Sequence, residues 1–101
     1  MCINPNQAKI IFARGDSMEP TILGGDSILI DLSKKYIIDG VIYCICLDGQ
    51  LLIKRLQKLS TNKVGIISDN PKYKMREVIL TNNTENFIVI GEVRWWGRIA
   101  K

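Results

Sequence analysis

The chain alternates short apolar runs with turn-forming clusters, and the runs have the length of strands. Lys9-Ile10-Ile11-Phe12-Ala13 is the first run; Gly15 and a polar cluster over residues 16–21 follow it. Gly24-Gly25-Asp26 is a turn signal, and Ser27-Ile28-Leu29-Ile30-Asp31 behind it is short and β-branched. Residues 41–47 form an apolar run that is too short for a helix and rich in strand formers. Asp48-Gly49 joins it to residues 50–59, and such a dipeptide between two apolar runs is the strongest short-range hairpin signal. Residues 63–68 and 77–81 are expected strands, with loops at Asp69-Asn70-Pro71 and Asn82-Asn83-Thr84. Residues 87–93 are apolar and β-branched, Gly91 is the expected place for a bulge, and Arg94-Trp95-Trp96-Gly97-Arg98-Ile99 extends the strand. The single helix candidate is one turn over residues 17–23. The pattern predicts an all-β domain, mainly antiparallel, with a partly open, barrel-like sheet.

Composition narrows the class. A length of 101 residues implies one domain, here residues 1–101, with residues 1–9 expected as a poorly ordered lead-in. Hydrophobic residues at 47% and charged residues at 24% suit a compact globule and not a disordered chain. No apolar stretch approaches the ~18 residues of a membrane span, and the first residues lack the basic start and apolar run of a signal peptide. The expectation is a cytoplasmic protein without a membrane association. Three cysteines, Cys2, Cys44 and Cys46, do not make a disulfide framework; Cys44 and Cys46 share a strand face and read as small core residues. The chain has no histidine, which excludes every His-dependent triad and argues against a zinc site. No metal or organic cofactor is implied. The net charge of +4 is scattered along the chain. No helix carries a basic stripe, so the charge reads as a solvated surface and direct DNA binding is not expected.

Two places carry candidate chemistry. In Ala13-Arg14-Gly15-Asp16-Ser17-Met18-Glu19-Pro20-Thr21, a serine follows a glycine-containing turn that can leave backbone N–H groups convergent, as an oxyanion hole requires. A serine capping the next turn is the plainer role. In Leu51-Leu52-Ile53-Lys54-Arg55-Leu56, strand alternation places Leu52, Lys54 and Leu56 on one face. An unpaired ammonium between two leucines is costly. Either the stem packs while the head reaches water, or desolvation makes the amine neutral. A neutral lysine is a general base able to activate a serine where histidine is missing.

Taken together, these segments resemble the LexA-type peptidases, which include the cleavable phage repressors of the lambda type and the UmuD proteins. The resemblance runs through Arg14-Gly15-Asp16-Ser17-Met18-Glu19-Pro20-Thr21 and Gly25-Asp26-Ser27-Ile28-Leu29-Ile30-Asp31. It resumes at Asp39-Gly40-Val41-Ile42-Tyr43 and at Asp48-Gly49-Gln50-Leu51-Leu52-Ile53-Lys54-Arg55-Leu56, and ends at Ile90-Gly91-Glu92-Val93-Arg94-Trp95-Trp96-Gly97-Arg98. It implies a LexA/signal-peptidase-like fold and a catalytic dyad of Ser17 as nucleophile and Lys54 as base. Backbone N–H groups of Ser17 and Asp16 would hold the oxyanion. Met18, Glu19 and Pro20 shape the turn, and the carboxylates of Asp16 and Glu19 read as turn and surface groups. The resemblance further implies a homodimer and self-cleavage of a repressor's upstream linker in the DNA-damage (SOS) response, promoted by RecA filaments.

The chain departs from that pattern. The 16 residues before Ser17 hold no Ala–Gly or Cys–Gly bond, and no helix-turn-helix segment is present. The expected substrate is its own upstream linker in a longer protein or a segment of another protein. Two alternatives stand beside the peptidase. One is a non-catalytic dimerisation module, to which Trp95-Trp96 would lend an interface ring. The other is a soluble signal-peptidase-like hydrolase acting in trans, whose usual membrane anchor is not seen here.

Overall fold

The computed structural model describes residues 3–81 and 86–98. It holds seven strands: β1 (Ala8–Phe12), β2 (Ser27–Asp31), β3 (Ile42–Leu47), β4 (Gln50–Ser60), β5 (Lys63–Ile67), β6 (Arg76–Ile79) and β7 (Phe87–Gly97). They form one antiparallel sheet in the order β1-β2-β7-β3-β4-β5-β6, open at β1 and β6. The expected all-β architecture is present. Pro5–Gln7 form a 3-10 turn capped by the Asn4 side chain, and β1 begins at Ala8. Cys2, the expected loop at Asn82-Asn83-Thr84, and Ile99 lie outside the described residues.

The β3–β4 hairpin turns through Asp48 and Gly49, both at positive φ (51° and 81°). That backbone matches the twist of the flanking strands. It fixes the register Tyr43↔Lys54 and Ile45↔Leu52. β3 reads as a continuous apolar run because both its faces are covered. Tyr43, Ile45 and Leu47 pack with Leu56, Val64, Ile66, Val78 and Phe87. Ile42 and Cys44 point the other way, into a second cluster with Met18, Ile22, Ile28, Ile30 and Val93.

β7 returns from the far edge to lie between β2 and β3, and its two pairings each skip a residue. Ile90 is passed over opposite β3 and Arg94 opposite β2. The expected bulge thus sits beside Gly91, whose missing side chain lets β2 come close: a Cβ there would run into the Asp31 carbonyl oxygen. The residue skipped at Arg94 places Trp95 opposite Leu29 and Trp96 opposite Ile28. The rings leave on opposite faces, and both stay substantially exposed.

The β1–β2 connection is closed at its base. Ala13 N–H donates to Asp26 O (2.8 Å), and Gly25 N–H donates to Ala13 O (2.9 Å). Buried Met18 and Ile22 anchor it in the second cluster. Residues 17–21 form turns, and Ile22 N–H donates to Met18 O (2.9 Å), so a single turn closes where one was expected and no regular helix follows.

Candidate active site

Lys54 lies on the first cluster's side of β4, with Leu52 and Leu56 on its face. Leu56 is fully buried and Lys54 half-buried. The ammonium does not escape to water as a surface lysine would. Its Nζ donates to Ser68 Oγ at 2.7 Å, and the Tyr73 ring centroid lies 5.7 Å away. Among the described residues, Lys54 makes no ion pair. Burial without a counter-charge pushes its pKa down, toward the neutral amine.

Ser17 is half-buried in its turn, with Gly15 before it at φ 73°. It borders a cleft of about 660 Å³ lined by Ile11, Ala13, Met18, Ile22, Leu52 and Ile53 together with Arg14 and Gln50. Lys54 borders a smaller hollow of about 210 Å³ with Ser68, Tyr73, Lys74 and Arg76, and Leu52 stands between the two spaces. Lys54 Nζ and Ser17 Oγ share no hydrogen bond. Among the described residues no acceptor takes the N–H of Asp16 or of Ser17.

The two halves are joined by the segment after β5. Asn70 N–H donates to Ser17 O (3.0 Å), and Asn70 Nδ2 donates to Asp16 O (2.9 Å). The Tyr73 hydroxyl donates to the Asp16 carboxylate. Asp69 accepts from Arg55 Nε (2.9 Å) and Nη2 (2.8 Å), and from Thr21 Oγ1 (2.6 Å). Arg55 beside it, helped by the Thr21 hydroxyl, holds the Asp69 carboxyl below the usual carboxylate range against the opposing effect of burial. One short segment therefore touches β4 through Ser68 and Asp69, and touches the Ser17 turn through Asp69, Asn70 and Tyr73.

Sequence reasoning did not single out these four residues. Ser68 was no more legible than the others, because its place depends on a register shift between Lys58 and Ser60. Extending the pairing Arg55↔Ile67 by one position sets Ser68 against Lys54.

A Peptidase S24-like family model matches residues 1–94. The chain belongs to the Peptidase S24-like family. Its S24-like sequence is 32% identical over 91 residues to an uncharacterized HTH-type transcriptional regulator of Haemophilus influenzae, covering 90% of this chain and 38% of that protein. It is 34% identical over 84 residues to the repressor protein CI of Enterobacteria phage phi80, covering 83% of this chain and 34% of that one. It is 42% identical over 65 residues to a 26 kDa repressor protein of Escherichia phage HK022, covering 64% and 27%. The S24-like chain thus spans less than two-fifths of the length of these relatives. Among the described residues, no helix is long and apolar enough to cross a membrane.

Proposed function

We propose that this S24-like chain is the peptidase and dimerisation part of a transcriptional repressor, and that Ser17 and Lys54 cut a peptide bond. The observation that carries the reading is the half-buried, uncompensated Lys54 amine held by Ser68. A neutral amine has two N–H groups and one lone pair. Ser68 occupies one N–H and thereby restricts where the lone pair can aim, and the reading requires Lys54 Nζ to come within hydrogen-bond reach of Ser17 Oγ in the reacting state. Lys54 takes the Ser17 proton as the oxygen attacks the peptide carbonyl, and the N–H groups of Ser17 and Asp16 receive the oxyanion. Lys54 then gives that proton to the leaving amine, and water, deprotonated by Lys54, releases the acyl group. The cleft beside Ser17, lined by apolar side chains together with Arg14 and Gln50, suits an extended peptide segment. The segment is the protein's own upstream linker or one from another chain, with RecA filaments as the promoter of cleavage.

The test is labelling of Ser17 by a fluorophosphonate, read by peptide mass across pH 6–10, in the wild type and in Lys54→Ala. The rate should rise with pH and level off once Lys54 is neutral. Labelling that ignores both pH and Lys54 refutes the dyad. The second reading is a non-catalytic dimerisation module, favoured by the lack of a Ser17–Lys54 hydrogen bond. It expects no labelling together with a dimer in sedimentation.

A further inference from the structure

Tyr73 touches both halves of the candidate site. Its hydroxyl donates to the carboxylate of Asp16, the residue before Ser17, and its ring lies over Lys54 Nζ. Core packing does not account for it, because Tyr73 is 45% exposed and belongs to neither buried cluster. An exposed aromatic side chain ordinarily keeps its rotamer freedom; here both its ends are engaged. Asn70 of the same segment holds the carbonyls of Asp16 and Ser17. The segment therefore grips the turn by its acceptors, and the N–H groups of Asp16 and Ser17 stay free of acceptors among the described residues.

We propose that Tyr73 is a positioning residue that latches the Ser17 turn through Asp16 while its ring shields Lys54, so that one side chain sets nucleophile against base. This rests on the Ser17–Lys54 reading above. The ring acts on Lys54 in two opposed ways: its face attracts an ammonium, and its bulk excludes water, which disfavours one. The groups around Lys54 decide between them. Tyr43 faces it from β3, Ser68 and Tyr73 from the segment after β5, and Lys74 and Arg76 border the same hollow. Among the described residues no carboxylate lines that hollow, so the loss of water is not offset there by a counter-charge.

The experiment compares Tyr73→Phe, Asp16→Ala, their double variant and Tyr73→Ala in the 101-residue chain. Three quantities are read: the rate of fluorophosphonate labelling, the NMR titration of the Lys54 side chain, and hydrogen exchange of the Asn70 amide. Tyr73→Phe and Asp16→Ala should each slow labelling about tenfold, the size of one hydrogen bond to a charged group. The double variant should be no slower than either single one. Asn70 exchange should quicken in both. The Lys54 midpoint should stay in Tyr73→Phe and rise in Tyr73→Ala, where the shield is gone. Wild-type labelling in Tyr73→Phe, additive losses in the double variant, or an unmoved Lys54 midpoint in Tyr73→Ala each overturn the latch. A wild-type chain that is never labelled refutes the Ser17–Lys54 reading instead. Unchanged Asn70 exchange and Lys54 titration across the variants would then overturn the latch on their own.

Discussion

Asp69→Ala should destabilise the fold by about 2–3 kcal/mol at neutral pH, although residue 69 lies in a loop. The carboxylate accepts two hydrogen bonds from Arg55 and one from Thr21. Bonds to a charged group contribute about 1.5–3 kcal/mol each when well buried. Here the Asp69 side chain is 13% exposed but that of Arg55 is 32% exposed, so water recovers part of the loss. The Gly40 carbonyl also keeps one Arg55 donor occupied. Counting the Arg55 pair as about 1.5 kcal/mol and the Thr21 bond as about 1 kcal/mol gives the stated range. For a domain of this size that lowers Tm by about 10–20 °C. The assay is thermal unfolding followed by circular dichroism, repeated at falling pH. The folded pKa of Asp69 is depressed, chiefly by Arg55. Its stabilisation is therefore complete above the ordinary carboxylate pKa and disappears as pH falls through the folded value. The gap between variant and wild type must close in acid. A shift below about 4 °C at pH 7, or a gap that persists unchanged in acid, would refute the energetics assigned to this loop.

Further outcomes follow from single contacts. Gly91→Ala forces a methyl group against the Asp31 carbonyl in the middle of the sheet and should cost about 2–3 kcal/mol in urea unfolding; an unchanged midpoint would mean β2 and β7 can separate freely. Tyr43→Phe leaves the Ile38 N–H and the Tyr36 carbonyl without their partner, and should cost about 1–2 kcal/mol with faster exchange at the Ile38 amide. Burial pushes the Cys44 thiol up to about 11. Iodoacetamide at pH 8 should therefore modify half-buried Cys46 well before Cys44, which should react only in denaturant; equal native rates, read by peptide mapping, would contradict the buried position.

The candidate site was only partly legible. Lys54 stood out because a charge between two leucines of one strand face is a local anomaly, and Ser17 because its turn chemistry is local too. Asp69, Asn70 and Tyr73 carried no such mark. Asp and Asn before a proline are ordinary loop residues, and a lone tyrosine in a polar stretch signals nothing. Their partners are Arg55, Thr21, Asp16 and Ser17, distant in the chain, and only the closed fold makes them neighbours.

The sequence by itself determined the strands, the Asp48-Gly49 hairpin, the register that turns Lys54 to the same face as Leu52 and Leu56, and the family resemblance. These rest on side-chain alternation and turn geometry, which act over a few residues. Tertiary structure alone decided that β7 lies between β2 and β3, that β3 is covered on both faces, and that the segment after β5 bridges Lys54 to the Ser17 turn. Those arrangements depend on pairing between distant strands, and no local pattern encodes a hydrogen bond whose partners meet only after the sheet has closed around them.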